Sequence, residues 1–402
     1  MCTTASLQTL VNISKHEALK TSLKHCIIGL ESYEATYLDR IANEAQQEAF
    51  RDGLADQFAL LNSGRGRDLL ATAFRHLPNL QTIGIRDYEA HGRSRDSSRW
   101  RSYGAPTVFL ETSCNLESGS SQFASKVFLL LMQALSDADR AIPVSSIETI
   151  LRKRSNGLND LAFFLSPDAK MERVLNGLQQ LLLTVNVYAD IHCRSINCTT
   201  LMEAFLHRVV SLQHVRLNFQ RYDPPLGSPI LQRLVLKPNL LPNLRRLDLG
   251  MLSVEPAILI QIISKFSTTI RHVSLWKVKL SYDSASRWKE ETPENRYHPW
   301  PRVLRDLSMV TQLTSMTMGC LSQQGDSNPW SITNLHFSNN DLSRECSGSM
   351  EVWLPQVLDE LEVEWQQHPQ RNDDENSDES EAETDDEDMD GSSNGSELDD
   401  DG

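Results

Sequence analysis

The chain has 402 residues, 40% hydrophobic and 23% charged, which supplies a sizeable core and excludes collagen-like, disulfide-knot and wholly disordered classes. Its formal net charge of −15 is concentrated at one end. Residues 372–402 carry 16 acidic side chains and no basic ones, whereas residues 1–371 hold 39 basic against 38 acidic.

Taken in chain order, the sequence repeats one phrase: an apolar anchor, two variable residues, then alternating apolar positions. A weak copy, SLKHCII, stands at 22–28. Gly64 and Gly66 read as a loop and the start of a helix from Leu69; a dinucleotide fingerprint needs a preceding strand and a third glycine. LPNLQTIGI follows at 77–85. Residues 126–135, with Phe128, Leu131, Met132 and Leu135, have helical spacing. The phrase returns as LQQLLLTVNV (178–187), LQHVRLNF (212–219) and LPNLRRLDL (241–249). Between the first two of these, Thr200 and Glu203 have capping-box spacing ahead of Phe205, Leu206, Val209 and Val210. PAILIQIISKF (256–266) opens on proline, suited to a first helical turn, and places Ile258, Leu259, Ile262, Ile263 and Phe266 on one stripe. IRHVSL (270–275), LTSMTM (313–318) and a weaker ITNLHF (332–337) complete the series.

Period-two alternation predicts short strands with one face buried, and helices between them predict parallel pairing. The expected fold class is therefore α/β: an irregular leucine-rich-repeat-like solenoid with mainly parallel short strands, plus a disordered acidic C-terminal tail. An ordinary α/β domain with a parallel sheet is the rival. The array is expected over residues 1–365, with inserted loops near 86–125 and 281–301, and the tail over 366–402. Expected inward positions are Leu80, Ile83, Ile85, Leu212, Val215, Leu217, Leu244, Leu247, Leu249, Val273 and Leu275.

Few groupings carry chemistry. Cys193 and Cys198 beside His192 have no second ligand pair near them, so no metal site is expected. Ser118–Ser121 and Ser347–Ser349 lack the frame of a nucleophile elbow, and the 11 histidines are dispersed. No catalytic residue and no cofactor is assigned. Arg93, Arg95, Arg99, Trp100, Arg101 and Tyr103 form a candidate protein-binding loop, because tryptophan, tyrosine and arginine dominate binding hot spots. The same mix suits phosphates and bases. In the tail, Ser380, Thr384 and Ser396 each precede an acid by three residues, the pattern acidophilic kinases favour, and are candidate phosphorylation sites.

The longest apolar run, Val127–Leu135, falls short of the ~20 residues of a membrane span. The first residues lack the pattern of a signal peptide. Seven scattered cysteines fit free thiols in a reducing compartment. The expected location is the cytoplasm or nucleus, away from membrane.

Two segments, LVNISKHEALKTSLKHCIIGLESY (10–33) and LLATAFRHLPNLQTIGIRDYEAHGRSRDSSRWRSYGAPTVFLETS (69–113), resemble the substrate-receptor part of fungal F-box proteins with degenerate leucine-rich repeats. The resemblance is most specific where LPNLQTIGIRD leads into RWRSYGAPT. It runs more loosely to about residue 365 and leaves out the tail. It implies repeats that hold a protein substrate and an N-terminal F-box that docks the adaptor of a cullin–RING ubiquitin ligase. No LPxE-type opening phrase is visible, and the chain begins roughly where the family's post-box segment begins. The expectation is thus an F-box that is lost or encoded upstream, with the adaptor a partner only if one exists. The function expected is a non-catalytic protein–protein interaction scaffold that recognises a substrate for such a ligase. The alternatives are an enzyme with an unrecognised site in the N-terminal half, or a nucleic-acid- or chromatin-associated adaptor.

Overall fold

Each leucine phrase folds as a short strand that buries one face, and the stretch between phrases returns as a helix that covers it. The computed structural model describes residues 3–87, 102–152, 157–186, 198–219, 227–281, 298–310, 313–324 and 332–363. They belong to one compact unit, Met1–Glu364; the acidic tail lies outside them.

The N-terminal part contributes α1 (Thr4–Lys15), α2 (Glu17–Lys20), β1 (His25–Gly29), α3 (Glu44–Asn62), α4 (Arg65–His76) and β2 (Thr82–Arg86). Helices α5 (Ala105–Thr112) and α6 (Ser121–Ala138) lead to β3 (Ser146–Ile150). Helix and strand then alternate: α7 (Ala169–Gly177), β4 (Gln180–Val185), α8 (Cys198–Arg208), β5 (His214–Phe219), α9 (Gly227–Leu236) and β6 (Arg246–Val254). The alternation continues through α10 (Pro256–Lys265), β7 (His272–Leu280), α11 (Trp300–Val310) and β8 (Ser315–Gly319). The last elements are β9 (Ser322–Gln324), β10 (Ile332–His336), β11 (Ser343–Ser347), α12 (Met350–Glu360) and β12 (Glu362–Val363).

Strands β1 to β8 lie side by side in chain order and pair in parallel throughout. One row of the register runs His25, Thr82, Ser146, Gln180, His214, Arg246, His272 and Ser315. Parallel neighbours need a crossover of a dozen or more residues, which the intervening helices supply. Those helices stack in order on one face, α6 on α7, α8 on α9, α10 on α11. All eleven inward positions named from the sequence are buried in this interface, none above 3% exposed.

Strands β6 and β7 each carry one residue in the left-handed region, Met251 (φ 54°) and Lys277 (φ 55°), and Cys320 (φ 49°) follows in the next unit. The register pairs Gly250 with Trp276 and then Leu252 with Val278, so the two bulges stack. A one-residue bulge flips every later side chain to the other face. Leu252, Val254, Val278 and Leu280 are thereby turned into the core. In the next unit the break splits the strand into β8 and β9, both of which pair with β7.

The array closes with reversed strands. β10 runs antiparallel to β9, β11 to β8, and β12 to β10. This corrects the reading of ITNLHF as a further repeat: only residues 325–331 separate β9 from β10, too few for a parallel crossover. Three other expectations change. β3 is a full member of the sheet although its sequence lacks the leucine phrase. The segment 86–125, read as an inserted loop, holds α5 and the start of α6, and the end of the segment 281–301 holds Trp300, fully buried in the first turn of α11. Thr200 lies inside α8 and not at its N-cap, and Glu203 pairs with Lys237 at 2.7 Å.

Helix ends are closed by cations from the following unit. The Arg140 guanidinium donates to the carbonyls of Phe74, Leu77, Pro78 and Leu80, covering the C-terminus of α4 and the turn into β2. Arg208 donates to the Leu165 and Ser166 carbonyls and pairs with Glu172 at 2.7 Å. Lys265 donates to the Val235 and Lys237 carbonyls at the end of α9. Arg140 and Lys265 supply charge and donors where a helix leaves carbonyls unsatisfied, whereas Arg208 holds the segment just before α7.

Candidate functional site: the outer face of the sheet

Alternation that sends Leu247 and Leu249 to the helices sends Arg246, Asp248 and Gly250 to the opposite face. From β5 to β8 that face carries His214, Arg216, Asn218, Arg246, Asp248, His272, Ser274, Trp276, Ser315 and Thr317. All but Asp248 are partly or fully exposed.

Asp248 organises it. Its side chain is 5% exposed and accepts hydrogen bonds from His214 Nε2 (3.0 Å), Arg216 Nη2 (3.0 Å) and Arg246 Nε (2.9 Å). Burial works to raise its pKa. Hydrogen bonds from His214 and Arg246, with the charges of His214 and Arg216, outweigh that and hold it down at about 2. The network extends sideways: Ser146 Oγ donates to Gln180 Oε1 at 2.9 Å, and Gln180 Nε2 lies 2.9 Å from His214 Nδ1. If Gln180 donates there, His214 carries its proton on Nε2, which suits the bond to Asp248. Both imidazole nitrogens are engaged, so His214 ties β4, β5 and β6 together. The arginines keep surplus donors: Arg216 and Arg246 side chains are 29% and 47% exposed.

One row further along, Asn218, Gly250, Trp276 and Gly319 are register neighbours. A Cβ on Gly319 would come within 2.1 Å of the Trp276 ring, so the indole lies across bare backbone that only glycine leaves open. Trp276 is 45% exposed. The sheet thus presents an aromatic plate and two guanidiniums on one face.

Below it, at the N-terminal edge of the same strands, runs an open polar trough of about 720 Å³ lined by Gln179, Ser211, Gln213, Asn243, Arg245, Thr268, Thr269 and Arg271. Gln179, Gln213, Arg245 and Arg271 each directly precede a strand and follow its apolar anchor.

The loop singled out from sequence falls elsewhere. Arg93, Arg95, Arg99, Trp100 and Arg101 lie outside the described residues, as do Ser380, Thr384 and Ser396. Tyr103 is 68% exposed in the turn before α5, and its carbonyl accepts from Ser6 Oγ at 3.2 Å. Close by, Glu31, Ser102, Phe109 and Leu110 line a second cavity of about 480 Å³. Among the described residues no group of three or more His, Cys, Asp or Glu is placed to hold a metal ion, and no helix is long and apolar enough to cross a membrane.

Neither a protein-family model nor a curated protein sequence matches this chain. Among solved structures it is similar to the leucine-rich repeat-containing protein LegL7 from Legionella pneumophila, at 12% sequence identity and a TM-score of 0.25, over 77% of this chain and 87% of that one.

Proposed function

We propose that this chain is a non-catalytic protein-binding scaffold of leucine-rich-repeat type that recognises its partner on the outer face of strands β5 to β8. The observation that carries the reading is one sheet face that presents Trp276, seated against Gly319, together with the partly exposed Arg216 and Arg246. Tryptophan and arginine are the residues most enriched at binding hot spots, and a plate held on a sheet loses little freedom on binding. The sequence resemblance narrows the role to substrate recognition for a cullin–RING ubiquitin ligase in the cytoplasm or nucleus.

A photo-crosslinking amino acid placed at His272, on the open face, tests this. It should capture a discrete protein in cells, and the same group at Arg173, exposed on the helical layer, should not. Equal capture from both positions contradicts the assignment of the face. Recovery of the ligase adaptor with the partner supports the narrower role; recovery of the partner alone removes it.

A further inference from the structure

The trough at the N-terminal edge of β4 to β7 has no place in a reading centred on Trp276, and its chemistry is one-sided. Two guanidiniums, Arg245 and Arg271, line it, and among the described residues no carboxylate does. On the adjoining face Asp248 is buried and already answered by His214, Arg216 and Arg246. Arg245 is exposed; its backbone pairs with Gln213, Arg271 and His272, and among the described residues its side chain makes no hydrogen bond or ion pair. Arg271 is held in place: Nη1 donates to the Ile270 carbonyl at 2.7 Å and Nη2 to the Thr268 carbonyl at 3.4 Å. A guanidinium has five N–H donors, so Arg271 keeps donors directed away from those carbonyls.

We propose that this trough binds an acidic peptide segment in extended form, so that the partner is gripped by its carboxylates at the strand edge while its apolar groups meet Trp276. The inference rests on the protein-binding reading above and names the chemistry of the partner. Three strand spacings of about 4.8 Å separate β4 from β7, roughly 14 Å in all, which about four residues of extended chain span at ~3.4 Å each. Gln179 and Gln213 side-chain amides offer both a donor and an acceptor to a peptide backbone lying along the edge. Arginine takes a carboxylate through two parallel N–H bonds, a geometry lysine lacks. A nucleic acid is disfavoured. Among the described residues no aromatic ring lines the trough, so bases have nothing to stack on.

The test uses the full chain and a fluorescein-labelled octapeptide of alternating Glu and Ala, read by anisotropy at low salt. The same peptide with Gln for Glu is the neutral control. The acidic peptide should bind at least about tenfold more tightly than the neutral one, and its affinity should fall about tenfold as salt shortens the screening length from ~10 Å to ~3 Å. Arg245→Gln with Arg271→Gln should lower affinity about tenfold. Arg245→Gln alone, at an exposed and unpaired side chain, tests the same point without risk to the fold. Trp276→Ala should leave octapeptide binding within about twofold. Equal binding of acidic and neutral peptides, or indifference to both arginine variants, overturns the proposal. So does an RNA octamer that binds more tightly than the acidic peptide. Loss of the peptide while the His272 crosslink still captures a partner removes only this inference; loss of the crosslink with the peptide retained removes only the sheet-face reading.

Discussion

The two halves of the sheet's outer face are built on the same alternation and treat charge in opposite ways. On β2 to β4 the outward residues Thr82, Arg86, Ser146, Glu148, Ile150, Leu182 and Thr184 are buried, and Gln180, next to β5, is partly exposed. There the charged groups are sealed in: Arg86 and Glu148 side chains, 1% and 4% exposed, face each other at 3.8 Å. On β5 to β8 the outward face is open, and one carboxylate answers two arginines and a histidine. A buried pair contributes little net stability and is costly to break, so the first half secures the register. Half-exposed guanidiniums keep donors for a second molecule. The same repeat thus serves as internal structure at one end and as accessible surface at the other.

The largest effect expected in breaking this contrast is at the closed half. Glu148→Ala removes the carboxylate facing a buried guanidinium and should destabilise the fold by about 3–5 kcal/mol in chemical denaturation. Leu247→Ala, at a core position shared by both layers, should cost about 2–5 kcal/mol, set by how far the site collapses. The open half should respond to pH. Because the Asp248 pKa lies below its unfolded value, its contribution is full at neutral pH and is lost as pH falls through the ordinary carboxylate range towards about 2. The loss should reach about 2 kcal/mol, and Asp248→Asn should flatten that slope in denaturation curves between pH 5 and pH 2.5. Smallest is Trp276→Ala, within about 0.5 kcal/mol of wild type in stability because the ring is half in solvent.

Where the anchor leucine and alternation are present, as in LPNLRRLDL, sequence alone places both strand and core. β3 escaped because Ile147 and Thr149 supply its inward positions and no leucine phrase surrounds them. Thr149 is also where its ladder with β4 gives way to hydroxyl bonds: Thr149 Oγ1 donates to the Leu182 carbonyl, and Thr184 Oγ1 to the Thr149 carbonyl. The bulges at Met251 and Lys277 left no signal, since neither is a glycine. Asp248 and its partners were legible in principle. His214 and Arg216 stand two and four places after Leu212, as Arg246 and Asp248 do after Leu244, so aligning repeats on their anchors would have set the four side by side. The trough follows the same rule one place after each anchor. What no spacing rule reveals is that Gly319 leaves room for the Trp276 ring, because that contact joins residues 43 positions apart through the register.

The central claim is that the open half of the outer face is the binding surface. Its most direct test is the affinity of the captured partner, by calorimetry, for Trp276→Ala and for Arg173→Gln on the helical layer. The account predicts a loss of at least about 2 kcal/mol, roughly 30-fold, for the first and no measurable change for the second. Equal affinity of Trp276→Ala and wild type, with the fold intact, would contradict it.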